Sequence, residues 1–210
     1  MFKNLLNPDN ALMITLSQIT DCIFLSLFWF LGCVPVVTIG ASFAALYDAT
    51  YRGFRRGEKH SWQRFAQSYK QNLKTGVLPT VIFLAAATVL TKAMVGLWNS
   101  AVYGNISWAL FAAGGFVGVL VVGILSVMFP MLSRFENSTA ALLKNTVLLA
   151  LANSPRTLAL GFLNTLCIVL CTWLVVPLFV LPSLAALIGS LFIEPMFKPY
   201  LPDSSESAAE

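Results

Sequence analysis

The chain has 210 residues, 58% of them hydrophobic and only 10% charged, with a mean hydropathy of +0.79. A soluble domain carries about 25% charged residues, so this chain lacks the polar surface to cover itself in water, and a soluble globular protein is excluded. The net charge of +4 and pI near 9.0 do not point to nucleic acid, because the basic residues are placed as they are where they orient membrane helices.

The chain opens with a polar, mixed-charge stretch (Lys3, Asn4, Asn7, Asp9, Asn10), which argues against a cleaved signal peptide. Asn7-Pro8-Asp9-Asn10 reads as a turn, and a first helix is predicted from about Ala11 to Cys33. It carries Ser17, Gln18, Thr20 and Asp21 near its middle. A carboxylate there faces a bundle interior or a wet cavity, unless the true span begins at Asp21 and the preceding residues lie in the interface. Pro35 and Gly40 break the apolar run. A second helix follows from about Ala41 to Arg56, short for a span, and is read as a tilted hairpin partner ending in snorkelling arginines. Asp48 and Arg52 are four apart on it and can pair.

Seven of the thirteen Lys/Arg residues lie between Arg52 and Lys74. Within this segment Ser61 is placed to cap a helix in which Trp62, Phe65, Tyr69 and Leu73 recur at helical spacing. Arg64, Gln67, Lys70, Gln71 and Lys74 fill the rest of its circumference. Such a helix lies along an anionic inner leaflet or docks a partner.

A third helix is predicted from about Val77 to Trp98, with Pro79 in its first turn and Lys92 near its far end. After an uncharged connection, a fourth runs from about Trp108 to Ser133. Its Gly114-x-x-x-Gly118 spacing suits close approach of another backbone. Arg134 and Glu136 end it, and a second amphipathic stretch, Ser138 to Ala152, carries Lys144 towards Asn153-Ser154-Pro155-Arg156. A fifth helix, about Thr157 to Val176, holds Cys167 and Cys171 on one face. After the turn from Pro177 to Pro182, a sixth runs from about Ser183 to Phe197 and meets Lys198. Ser42 with Ala44-Ala45-Leu46 and Ser183 with Ala185-Ala186-Leu187 form a weak internal repeat near the starts of the second and sixth helices.

The expected fold is therefore all-α: a polytopic membrane helical bundle of about six helices paired as three hairpins, with short amphipathic cytoplasmic helices. Residues 1–201 form one transmembrane domain and 202–210 a disordered acidic tail. With six spans, twelve of the thirteen Lys/Arg residues fall on one side, and only Lys92 is left over. The positive-inside rule makes that side cytoplasmic, with the C-terminus and the main basic loops. A five-span alternative, with Gly32 to Tyr47 absorbed into one long first span, moves only the N-terminus and Lys3 outside.

Little here suggests chemistry. Cys22, Cys33, Cys167 and Cys171 all sit in apolar runs, and His60 is the one histidine, so no metal set is expected. There is no Walker A loop, and His60 has no nearby acid except Glu58. Asp21 and Asp48 are the two carboxylates that a paired-aspartate protease would need, but nothing around them suggests a shared proton. No enzyme, cofactor or nucleic-acid partner is expected. The candidate intramembrane polar residues are Asp21, Asp48, Arg52 and Lys92. The candidate docking surface is Trp62, Phe65 and Tyr69 with Arg64 and Lys70.

Asn7-Pro8-Asp9-Asn10, the Pro35 to Ser42 stretch PVVTIGAS with Ala44-Ala45-Leu46, the Phe65 to Asn72 run FAQSYKQN, and Arg134-Phe135 together resemble the YesL-like family of bacterial integral membrane proteins, domain of unknown function 624. Members are small multi-span proteins, often encoded beside sugar-uptake ABC transporters and glycoside-degrading enzymes. The resemblance implies a bacterial plasma-membrane protein with an accessory or regulatory role in carbohydrate uptake, and it supplies no catalytic residues. Glu136-Asn137-Ser138-Thr139-Ala140-Ala141 only grazes the E-A-A-x-x-x-G coupling pattern of ABC permeases, so this is not a core permease. Two readings follow: an accessory subunit bound to an ABC sugar permease, or a stand-alone small-solute or sugar transporter using Asp21 and the paired hairpins, alone or with copies of itself.

Overall fold

Crossing a bilayer takes about 20 apolar helical residues, and four stretches of this chain meet that demand as unbroken helices: Val77–Val102, Trp108–Arg134, Ser154–Trp173 and Leu181–Tyr200. The computed structural model describes residues 11–57, 60–104, 107–135, 138–174 and 176–200. Within them it is all-α, without a strand, in eight α-helices. These are α1 (Ala11–Cys33), α2 (Ile39–Thr50), α3 (Ser61–Asn72), α4 (Val77–Val102), α5 (Trp108–Arg134), α6 (Thr139–Ala152), α7 (Ser154–Trp173) and α8 (Leu181–Phe197). The Asn7–Asn10 turn, Lys3, Glu136 and the tail 202–210 lie outside the described residues.

Local chemistry sets most boundaries. Ser107 and Ser138 cap α5 and α6 by accepting from the backbone N–H of Leu110 and Ala141. Pro155 and Pro182 sit in the first turns of α7 and α8, where a missing N–H costs nothing. Both helices therefore start slightly earlier than the sequence suggests. Between α1 and α2, Thr38 Oγ1 donates to the carbonyls of Gly32 (2.8 Å) and Pro35 (2.7 Å), which closes the turn and satisfies the end of α1. Ser183 does related work near the start of α8, accepting from Ser26 Oγ (2.9 Å) and donating to the Cys22 carbonyl (2.9 Å) of α1.

α4 and α5 are antiparallel: Met94 lies against Gly118, and Trp98 meets Trp108 edge-on at the end where they connect. α2 does not run alongside them. At its start the Gly40 N–H donates to Thr80 Oγ1 (2.9 Å), in the first turn of α4. Just past its end the Tyr51 ring lies 4.2 Å from the guanidinium of Arg134, the last residue of α5. Thr80 and Arg134 share one end of the α4–α5 pair, so α2 lies across that end. The expectation that α2 is a tilted span is corrected here, since it has 12 residues and is not one of the four helices long and apolar enough to cross a bilayer. α2 is short, and its small residues let protein surround it, with every residue from Gly40 to Thr50 buried except the half-buried Phe43. Gly40 has no room for a Cβ, which would collide with Thr80 Oγ1. α1 and α3 flank α2, each antiparallel to it: Trp29 packs on Phe43 of α2, Gly32 lies near Ser42, and Ser61 faces Gly53 while Gly76 faces Ala41.

The tightest helix crossing is not at Gly114-x-x-x-Gly118. Those two glycines face side chains of α4, Leu97 and Met94. Backbones meet instead between α5 and α7, where a Cβ on Gly161 would run into the Val119 carbonyl and one on Gly123 into that of Thr157. Gly161→Ala is therefore expected to cost about 1–3 kcal/mol by overpacking and to lower the melting temperature in detergent. Gly118→Ala, whose new methyl would make ordinary contacts at 3.5–3.7 Å, should leave it nearly unchanged. Equal melting temperatures for the two variants would refute the close crossing.

Candidate functional site

The charged chemistry of the buried region gathers on α2. Asp48 is only 2% exposed, and a carboxylate in such a place has to be neutralised by partners. It is closed from two sides. Arg52 Nε, one turn on, donates to Oδ1 at 2.7 Å, and Arg64 Nε of α3 donates to Oδ2 at 2.8 Å. The first contact follows from the spacing of four. The second depends on the chain reversing after α2 through Gly57 (φ +68°) and His60 (φ +67°), both left-handed. His60, not Ser61, is the residue before the first turn of α3. Ser61 is the first helical residue, buried against Gly53, where an added Cβ would run into the Ser61 hydroxyl.

The neighbouring residue serves the other side of the helix. Tyr47 donates its hydroxyl to Glu194 Oε1 of α8 at 2.8 Å, and Arg134 Nη2 of α5 donates to the same oxygen at 2.6 Å. The Arg134 side chain is 7% exposed and lies over the Tyr51 ring, a cation–π contact that helps hold a desolvated guanidinium. Sequence reading missed this cluster. Its signal was Glu194, the lone acid of an otherwise apolar helix, whose counter-ion ends another span.

Asp48 and Arg52 thus meet as the spacing predicts, with Arg64 added. Asp21 stands apart on α1, half-buried beside Phe24, Leu25, Phe28, Ser61 and Trp62. It has no ion pair among the described residues. Lys92 is exposed on α4. The aromatic stripe of α3 faces protein: Phe65 is buried among Leu25, Ala45, Leu46 and Ala49, stacked on Phe28 and Tyr69. Tyr69 is half-buried, while Trp62 (51% exposed) and Lys70 remain open. Of the expected docking surface, Trp62 and Lys70 are free to meet something outside. The four cysteines are unpaired thiols, Cys22 buried and the others half-buried.

Residues 22–92 match the model of a family described as "Protein of unknown function, DUF624". The chain carries a DUF624 region. No curated protein and no solved structure matches the chain. The DUF624 region runs from Cys22 on α1 to Lys92 on α4, about a third of the chain, and supports there the resemblance read from the sequence. It contains Asp48, Arg52 and Arg64 together with the α1–α2 turn. Glu194 and Arg134 lie beyond the matched residues.

Removing one partner of a buried charge cluster is more costly than the cluster is stabilising, because a charge is left uncompensated. Asp48→Ala, which removes the carboxylate shared by two arginines that are themselves about a quarter exposed, should destabilise the protein by about 1–3 kcal/mol. Arg64→Ala leaves Arg52 on the carboxylate and should cost less. Phe65→Ala should cost about 3–5 kcal/mol as a cavity in the core, and Trp62→Ala little. Thermal unfolding in one detergent ranks all four; an Arg64→Ala loss as large as that of Asp48→Ala would show that Arg52 does not hold the carboxylate alone.

Proposed function

We propose that this protein is a non-catalytic, accessory or regulatory membrane subunit of a carbohydrate uptake system of the ABC type, in the bacterial plasma membrane. In this reading α4, α5, α7 and α8 cross the bilayer, and α1–α3 wedge against their inner ends. Lys74, Lys144, Arg156 and Lys198, all exposed, then share one side with Arg134, which the positive-inside rule makes cytoplasmic. The exposed aromatic residues Trp98, Tyr103, Trp108 and Trp173 mark the opposite interface. The sugar-uptake context comes from the family resemblance.

The observation that carries the accessory reading is Lys92 on a bare helix. α4 is packed on one side only. Val81, Ala85, Thr88, Lys92 and Val95 follow one another at helical spacing along its exposed face. Lys92 is six residues, about 9 Å, from Trp98, the first of these interfacial aromatics along α4. A charge at such a depth normally faces a protein interior and has a partner. Small side chains around it suit the approach of another helix, so a partner span with a carboxylate at that depth fits this face. The stand-alone transporter reading has less support, because Asp48 and Glu194 are both held by arginines, which leaves Asp21 as the carboxylate to serve a substrate path.

Affinity purification from native membranes in a mild detergent, followed by mass spectrometry, tests this. The wild-type chain should recover a permease pair in stoichiometric amount. Lys92→Leu should lose it while the protein stays inserted at normal level. Retention by Lys92→Leu would remove α4 as the docking face, and recovery of the chain alone would favour an independent carrier, to be checked by solute flux in liposomes and its loss in Asp21→Asn.

A further inference from the structure

Between α1 and the start of α3 lies a hollow of about 290 Å³, lined by Asp21, Phe24, Leu25, Phe28, Ser61 and Trp62. Its walls are almost entirely apolar, and three of its six lining residues are aromatic. Phe24, Phe28 and Trp62 are 52%, 37% and 51% exposed, so their rings are open to an incoming group. Asp21 supplies the negative charge, with no ion pair among the described residues. A carboxylate beside aromatic faces is the combination that receives an organic ammonium group, by charge pairing and by cation–π attraction together.

Two further features define what carries that ammonium. First, the hollow runs on into an apolar strip of exposed side chains on α1, with Leu27 and Leu31 following Phe24 and Phe28 at helical spacing and Val34, Val36 and Val37 beyond. A purely water-soluble cation has no use for such a strip, whereas an acyl chain does. Second, α3 begins at the hollow, with Ser61 and Trp62 in its lining and no side-chain cap, and an uncapped helix start favours a phosphate. Ammonium, phosphate and acyl chain in that order describe one class of molecule.

We propose that this hollow binds an amine-headed phospholipid of the phosphatidylethanolamine type, its ammonium on Asp21 and against Trp62, its phosphate at the start of α3 and its chain along α1. The site ties the α1–α3 layer to the surrounding bilayer at a point that the Asp48 cluster makes rigid.

The full chain is reconstituted in nanodiscs of equimolar phosphatidylethanolamine and phosphatidylglycerol with identical chains, and native mass spectrometry reads the lipids retained. Wild type should hold phosphatidylethanolamine over phosphatidylglycerol by about threefold or more, the size expected of a single exposed cation–π contact. Asp21→Asn and Trp62→Leu should each bring the ratio close to that of the bulk lipid. Trp62→Leu alters an exposed ring, so it remains decisive should Asp21→Asn fold poorly. A wild-type ratio equal to bulk, or one unchanged in Trp62→Leu, overturns the proposal. Displacement of the bound lipid by millimolar glycerophosphoethanolamine would also overturn it, since the site would then select the soluble headgroup without needing the chain.

Discussion

The Asp48 carboxylate constrains the rest of the structure, because a charge that is 2% exposed in an apolar bundle has to be closed by protein. Arg52, in the helical turn that follows α2, reaches it and bonds Oδ1. The second oxygen draws in Arg64, and with it the whole of α3, which must turn back after α2 and run antiparallel to it. Once α3 is fixed in this way, its Phe65 completes the core with Leu25 of α1 and Leu46 of α2. The amphipathic character of α3 is therefore satisfied inside the molecule at Phe65 and in part at Tyr69, while Trp62 stays open. Its polar side covers the layer, and its aromatic side fills the gap between two apolar helices.

Successive residues on a helix point about 100° apart, a consequence of 3.6 residues per turn, and α2 uses this to bind two different sides. Asp48 faces α3, while Tyr47 faces α8 and α5 through Glu194 and Arg134. Two charge clusters thus anchor one short helix, one to the layer of α1–α3 and the other to the ends of the long helices. The small residues between them matter for the same reason. Ala44, Ala45 and Ala49, all fully buried, allow neighbours to come close enough for the charged groups to meet. A larger residue at those positions would move helices on both sides at once.

Much of this was legible in the sequence and some was not, for physical reasons. The long helices announce themselves by apolar length, and the connection between α4 and α5 by the Trp98–Trp108 pair. The orientation of α2 was hidden, because an apolar helix buried by protein and one buried by lipid have the same hydropathy. Only contacts at both ends, with Thr80 and Arg134, separate the cases. Arg64 reads as a surface residue of an amphipathic helix, since nothing local reveals that a turn at Gly57 and His60 will bring it back to Asp48. Gly123 and Gly161 are unremarkable apart, whereas Gly114-x-x-x-Gly118 catches the eye because both members lie on one helix. Close approach requires a glycine on each of two helices, and a one-helix motif cannot report the second. Glu194 was readable in principle, as a single acid in an apolar run matched by a single arginine at the end of another.

With these clusters accounted for, their charged residues and the pair Asp21 and Lys92 are of two kinds. Asp48, Arg52, Arg64, Arg134 and Glu194 pair with one another and explain how the bundle holds together. Asp21 and Lys92 do not take part, and they stand at the two edges of the DUF624 region, one residue outside it and at its last residue. Burial or lipid exposure disfavours an unpaired charge whatever its sign, so a fold indifferent to its surroundings would gain by losing both. Their positions differ in what they can accept. Asp21 sits in an aromatic hollow of molecular size, suited to a small cationic group, whereas Lys92 sits on the open face of a membrane-long helix, suited to another helix. On the two proposals made above, the internal charges close the fold and the two open ones meet its neighbours, a lipid headgroup at Asp21 and a partner helix at Lys92.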